Sequence, residues 1–215
     1  MERNMQHQDI IDNSNKQYDQ RGKQYPGTSK AVFWDDQQTQ YLRFHEIVKH
    51  MDLGEHSTVL DVGCGNAELY KYLNFNGFKG EYKGYDINEE LLNQARKMYP
   101  DIVVAKLDIL AEPINERFDY VVLSGLFNLN YGQNIEWVEQ MLTVMYGLAN
   151  KKMIFNAISS YVNYQQDEMF YINPSTLLDF VLRNLSTQVV LEHGALPYNY
   201  LMAVDNSKNW QSLNL

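Results

Sequence analysis

Val59-Leu60-Asp61-Val62-Gly63-Cys64-Gly65-Asn66-Ala67-Glu68-Leu69 reads as a buried strand that runs into a glycine turn and then into a helix. Gly63 and Gly65 can take backbone angles closed to other residues, and with no Cβ they let a ligand approach the main chain. That suits a nucleoside. The helix start beyond such a turn ordinarily favours phosphate, but Asp61 at the strand end repels one and suits a ligand that carries an ammonium group. A dinucleotide fingerprint needs glycine where Glu68 stands. The turn therefore favours a sulfonium nucleoside over a nicotinamide dinucleotide.

Two later segments fit the same ligand. Tyr85-Asp86-Ile87 ends the next strand-like run, with Asp86 placed 21 residues beyond Gly65. A carboxylate there can accept both hydroxyls of a ribose, and Ile87 can cover one face of the adenine. Asp108, in Ala105-Lys106-Leu107-Asp108-Ile109, follows the third strand and can accept from the adenine amino group, with Ile109 beside it. Each aspartate alone is commonplace; their order along the chain is what carries the reading.

Around these motifs, strands and helices alternate. Thr58 to Val62, Tyr82 to Ile87, Ile102 to Leu107, Phe118 to Leu123 and Lys152 to Ala157 read as strands. Glu68 to Leu73, Glu89 to Met98, Asn134 to Leu148 and Ser175 to Leu185 read as helices. Such alternation predicts right-handed crossovers and a parallel sheet covered on both faces. The last two strands, Gln188 to Glu192 and Tyr198 to Val204, are separated by too few residues for a crossover, so they pair antiparallel. The expected fold class is α/β, with a mostly parallel sheet. Ahead of it, residues 35 to 52 carry apolar side chains at helical spacing, whereas residues 1 to 24 are rich in Gln, Asn, Asp and Lys and read as a loose arm.

Composition narrows the function classes. The chain has 215 residues, 45% hydrophobic and 21% charged, the balance of a globular protein with one domain as the default. A net charge of −9 offers no global positive field for nucleic acid or anionic lipid. No apolar run is long enough to span a membrane and the polar N-terminus is no secretory signal, so the expected location is cytoplasmic. The single Cys64 cannot form an internal disulfide, and no Cys/His cluster has metal-ligand spacing. Sixteen tyrosines suit core and surface packing, or the wall of a small-molecule pocket.

The segments VLDVGCGNAEL, YKGYDI, KLDI and FDYVVLSG resemble, in order, the motifs of class I S-adenosylmethionine-dependent methyltransferases. The resemblance spans residues 25 to 205 and implies a Rossmann-like, seven-stranded sheet with a reversed last strand. It also implies S-adenosylmethionine as cofactor, with Asp61, Gly63, Cys64 and Gly65 around the methionine moiety, Asp86 on the ribose, Asp108 near the adenine and Ser124 beside the methyl-transfer site. The family's third loop glycine is Ala67 here. A closer likeness, to a bacterial subgroup of unassigned substrate, covers Ala31 to Trp34, Gln40 to Phe44, Ser124 to Asn128, Phe155 to Tyr161 and Tyr171 to Pro174. After the histidine matching His193 that subgroup carries Asp-Tyr, where this chain has Gly194-Ala195. The domain plan is then an arm over 1–24 and one methyltransferase domain over 25–215, whose first segment, to about residue 52, is a helical lid bringing Trp34 and Arg43 to the cofactor.

Methyl transfer from a sulfonium mainly requires an acceptor held on the methyl axis in a dry site. A hydroxyl or protonated amine also needs a base, and the candidates at the sheet edge are Asn128, Tyr131, Asn156 and His193. His193 has the unperturbed pKa best suited to the task, with a hydrogen-bonded strand-end histidine as the alternative. Cys64 reads as a buried filler rather than a nucleophile. The expected acceptor is an O or N atom of a small metabolite. The competing readings are a nucleic-acid or protein acceptor, a non-catalytic S-adenosylmethionine-binding module, and an NAD-dependent oxidoreductase. Against a nucleic acid stand the charge and Ser124-Gly125-Leu126-Phe127 in place of an Asn/Asp-Pro-Pro-Tyr/Phe motif.

Overall fold

The computed structural model describes residues 2–33 and 36–207, with side chains from His7 onward. Its strands are β1 (Thr58–Val62), β2 (Glu81–Asp86), β3 (Val103–Lys106), β4 (Phe118–Leu123), β5 (Ala149–Ser159), β6 (Tyr171–Ile172), β7 (Val189–His193) and β8 (Asn199–Asp205). They form one sheet in the order β3-β2-β1-β4-β5-β8-β7, with the short β6 beside the end of β5. All pairs are parallel except those made by β8, which runs antiparallel to both β5 and β7. Seven strands with one reversed were expected; β6 is an addition of two residues.

The topology creates the site. From β1 the chain lays β2 and β3 on one side, then returns to lay β4 and β5 on the other, so the connections leaving β1 and β4 diverge and open a crevice. Register aligns its rim: Val62 pairs with Tyr85 and with Leu123, which brings Gly63, Asp86 and Ser124 out at one level.

Period-two alternation sorts the strands into two cores. Leu60, Val62, Val121, Leu123, Met153 and Phe155 face α5 (Ile135–Leu148) and α6 (Pro174–Asn184). Val59, Tyr120, Val122 and Ile154 face α2 (Gln37–Val48), α3 (Glu68–Phe75) and α4 (Glu89–Met98). The helices begin where the sequence provides caps: Asn88 accepts from Leu91 N, Asn134 from Trp137 N, and Asn173, followed by Pro174, from Ser175 N. Among the described residues no helix is long and apolar enough to cross a membrane.

The largest departure from the sequence reading is the N-terminal segment. Residues read as a loose arm form α1 (Glu2–Gln24), which docks against the carboxyl edge of the sheet. Its docking face is a stripe of Ile10, Ser14, Tyr18 and Gly22 at helical spacing, only one of them aliphatic. Hydrogen bonds replace apolar contact. Asn88 Nδ2 donates to Asn15 Oδ1 (3.2 Å) and Asp19 Oδ1 (2.8 Å), Asn13 Nδ2 to Tyr131 O (3.1 Å), and Gln94 Nε2 to Gly22 O (3.0 Å). The helix expected over 35–52 begins at Gln37, where Asp36 caps it, and follows a 3-10 turn at Ser29–Val32.

Candidate active site

The glycine turn after β1 is held by backbone geometry. Gly63, Gly65 and Ala67 all take left-handed conformations, at φ 71, 53 and 63°. Gly63 N and Cys64 N both donate to Tyr85 O (2.8 and 3.2 Å), and Gly65 N donates to Asp86 Oδ2 (2.7 Å), so the turn is fastened to the end of β2. A Cβ on Gly65 would lie 2.9 Å from Val32 Cγ1, which explains the glycine. The alanine at the family's third glycine adopts the glycine's conformation, at a cost of about 1 kcal/mol.

Above this turn lies a cavity of about 480 Å³ at the carboxyl edge of β1, β2 and β4, large enough for a nucleoside cofactor with an acceptor. Asp61, Gly63, Cys64, Gly65, Asp86, Ile87, Asp108, Ile109, Ser124, Arg43, Asn128 and Tyr131 all line it. Thus residues spread along the chain converge as the motif order implied. Trp34 lies outside the described residues. The lining also includes Val32 of the 3-10 turn, Phe33 that caps it, and His7, Ile10, Ser14, Tyr18 and Arg21 of α1.

Each carboxylate is set by its neighbours. Asp61 is 3% exposed and accepts from Tyr82 Oη at 2.7 Å. Burial, reinforced by the Asp86 charge, raises its pKa to about 7 against the Tyr82 bond. Asp86 is also pushed up by burial, while the amides of Asn88, Gly65 and Ile87 oppose the shift. Asp108 accepts from Leu110 N at 3.0 Å and meets His7 Nε2 at 2.6 Å. Trp137 Nε1 donates to His7 Nδ1 (3.2 Å), which puts the imidazole proton on Nε2 and makes His7 the donor to Asp108. The Cys64 thiol is buried over Gly84, and desolvation with the Asp86 and Asp61 charges pushes it well up, leaving a protonated filler.

The side chains that follow β4, β5 and β7 are held differently. Asn156 staples the end of β4, accepting from Gly125 N and donating to Ser124 Oγ, both at 3.0 Å. It does not line the main cavity. Asn128 is 7% exposed, and its Oδ1 is sealed from solvent with no donor. Its backbone is fixed by Phe170 N donating to Asn128 O, part of a strap between residues 128–130 and 168–170. Tyr131 donates to Tyr18 Oη at 3.1 Å, and burial pushes its pKa well above the ordinary tyrosine value. Such a phenol holds its proton and is no base near neutrality. His193 stands apart: its Nε2 pairs with Ser159 Oγ at 2.9 Å, its ring stacks on Tyr200, and it does not line the cavity. The reason is sheet order, which makes β7 the outermost strand.

Arg43 on α2 is 8% exposed at the cavity wall, and burial draws its pKa down to about 9, still charged at neutral pH. Sequence reasoning missed His7 and Tyr18, which sit in a polar stretch without an apolar signal, and gave no role to Gln40 or Glu68. The spacing of Gln37, Gln40 and Arg43, three residues apart on one helix face, was the available clue for Gln40.

The Methyltransferase domain family matches residues 53–200. A Mycobacterium tuberculosis protein named "Putative methyltransferase Rv1506c" is 30% identical over 153 residues, which are 68% of this chain and 92% of that protein. Among solved structures, magnesium protoporphyrin IX methyltransferase from Synechocystis with bound SAH superposes at TM-score 0.64 and 13% identity, over 86% of this chain and 95% of that one. The N-methyltransferase NodS from Bradyrhizobium japonicum with S-adenosylhomocysteine gives TM-score 0.64 at 14% identity, over 91% of this chain and all of that one (100%). With the loop, the ordered aspartates and the reversed strand in place, the chain belongs to the methyltransferase domain family, as a class I S-adenosylmethionine-dependent methyltransferase.

Proposed function

We propose that the protein moves the methyl group of S-adenosylmethionine to an O or N atom of a small, neutral or cationic acceptor. The observation that carries this is the cavity: Asp86 and Asp108 line it after β2 and β3, and Asn128, whose Oδ1 has no donor among the described residues, lines it after β4. The residues present fit the cofactor. Asp86 offers acceptors to the ribose hydroxyls, Asp108 to the adenine amino group, and Ile87 and Ile109 supply apolar cover. When bound, the cofactor supplies an electrophilic methyl group on sulfur.

The chain's own residues then position and desolvate. Asn128 Oδ1 takes a hydrogen bond from an acceptor N–H or O–H and so turns a lone pair toward the methyl axis. Tyr131 keeps its proton and, with Tyr18, walls the chamber. Helix α1 covers the opening and excludes water. The general-base role moves away from His193, whose ring nitrogen is bound to Ser159 outside the chamber. A neutral amine needs no base and gives its proton to water after transfer, whereas a hydroxyl or a protonated amine gives its proton to a carboxylate of the wall such as Glu168.

Charge narrows the acceptor. Among the described residues, the carboxylates Asp61, Glu68, Asp86, Asp108 and Glu168 share the cavity with the arginines Arg21 and Arg43. Such a wall repels a polyanionic acceptor and tolerates an amine or an uncharged alcohol. The neighbours named as a magnesium protoporphyrin IX methyltransferase and an N-methyltransferase support the idea that this fold serves small acceptors. Calorimetry with S-adenosylmethionine and S-adenosylhomocysteine tests the cofactor, and absence of binding by either defeats the proposal. A metabolite extract incubated with labelled methyl donor tests the acceptor: label is expected in an amine or alcohol of low mass. Label found only in nucleic acid or protein would defeat the small-acceptor reading, and binding without any transfer would point to a non-catalytic module.

A further inference from the structure

We infer that Glu68, with Gln40 and Asn66, forms the seat for the α-ammonium group at the amino-acid end of the cofactor; the inference rests on the S-adenosylmethionine reading above. Glu68 opens α3 immediately after the left-handed Ala67 and is 2% exposed. A carboxylate so buried normally brings its partners with it. Here Oε2 has two long contacts, Lys71 Nζ at 3.3 Å and Gln37 Nε2 at 3.4 Å, while Oε1 is sealed from solvent with no donor.

Its neighbours repeat the pattern. The contact from Gln37 places the first turn of α2 over the glycine loop, and Gln40 follows one turn later on the same face. Gln40 is 3% exposed, and its Oε1 has no donor. Asn66 is fully buried: its Nδ2 donates to Thr28 O at 3.2 Å, and its Oδ1 has no donor. All three side chains line the cavity.

Three buried acceptor oxygens without donors among the described residues, one of them on a carboxylate, call for a group that is all donors and positively charged. A primary ammonium has three N–H bonds and no acceptor. Arg43, one further turn along the same face of α2, presents a positive charge beside this seat, where the carboxylate of an amino acid would complement it. Asp61 lies beneath the loop, tied to Tyr82, and adds its field from behind.

Calorimetry on the full chain separates this seat from general cofactor binding. The two ligands are S-adenosylhomocysteine and its deaminated analogue, which keeps the nucleoside, thioether and carboxylate. The wild type is expected to bind the amino form at least about tenfold tighter. Glu68→Gln, which preserves shape, is expected to lose about tenfold for the amino form and to leave the deaminated form within about twofold. Gln40→Leu should show the same selectivity with a smaller loss, which guards against a folding artefact in either variant. Equal weakening of both ligands in both variants, or no weakening, overturns the seat. If the wild type binds both ligands with one affinity, the seat alone falls. If it binds neither, the cofactor reading falls and takes the seat with it.

Discussion

The two ends of the cavity are built on different terms. At the nucleoside end, Asp86 is gripped by Gly65 N and Asn88 N, and Asp108 by Leu110 N and His7, so these carboxylates are already oriented. At the proposed acceptor end, Asn128 is fixed through its main chain, and its side-chain oxygen has no donor among the described residues. The contrast separates carboxylates oriented before any ligand arrives from an amide whose bonding the occupant completes, a trait Asn128 shares with the Glu68 seat. Energetically, a bond to a preorganised carboxylate is worth about 1.5–3 kcal/mol, and a neutral amide about 1 kcal/mol.

The sharpest way to break the contrast is Asp86→Ala. It removes acceptors for two ribose hydroxyls and unties Gly65, so S-adenosylhomocysteine affinity should fall by about a hundredfold or more in calorimetry. Retained affinity would mean that the nucleoside end lies elsewhere. Asn128→Leu should instead leave cofactor affinity unchanged and lower kcat/KM about tenfold once an acceptor is known. A loss in cofactor affinity would show the two ends to be one.

Acidity probes the amino-acid end of the cofactor site more gently. The Asp61 pKa of about 7 in the unliganded protein lies above its unfolded value, so this group stabilises the fold fully only in acid, and that share is lost as pH rises through about 7. Binding a ligand with positive charge favours the carboxylate, so cofactor affinity should decline by up to about tenfold per pH unit below pH 7 and level off above it. Asp61→Asn should flatten that profile and reduce the acid preference of the unliganded fold in thermal melts. A wild-type profile flat from pH 5.5 to 8 would count against Asp61 as the coupled group. The smallest effect belongs to His193→Ala: with Nε2 on Ser159 and no wall of the cavity, turnover should stay within about twofold of wild type. A large loss would return the histidine to the chemistry.

The same contrast explains what could be read from the sequence. Asp61, Gly63, Gly65, Asp86 and Asp108 sit at strand ends, where local chain order fixes position and sheet register does the rest. Asn128 and Tyr131 follow β4 directly, so they too were placed correctly at the edge. His193 was misplaced because a strand end states a height in the sheet but not a distance across it; β8 inserts between β5 and β7 and carries the histidine to the margin. Helix α1 escaped notice for a different reason. Its stripe of Ile10, Ser14, Tyr18 and Gly22 buries little apolar surface, and its docking bonds go to Asn88, Gln94, Asp108 and the Tyr131 carbonyl, partners far along the chain. No local pattern encodes such distant hydrogen bonds. Likewise β5 extends three residues before the expected Lys152, through Ala149, because pairing with β4 resumes beyond an irregularity.

The relay from Trp137 through His7 to Asp108 ties an indole N–H on the sheet-bound α5 to the outermost described part of α1. Detaching α1 exchanges that imidazole for water, and indole emission is sensitive to this kind of change. Trp137 is therefore an intrinsic fluorophore placed at the docking contact of α1. Loss of α1 docking during unfolding could be followed by stopped-flow on unlabelled protein, with His7→Phe as the control that lacks the contact.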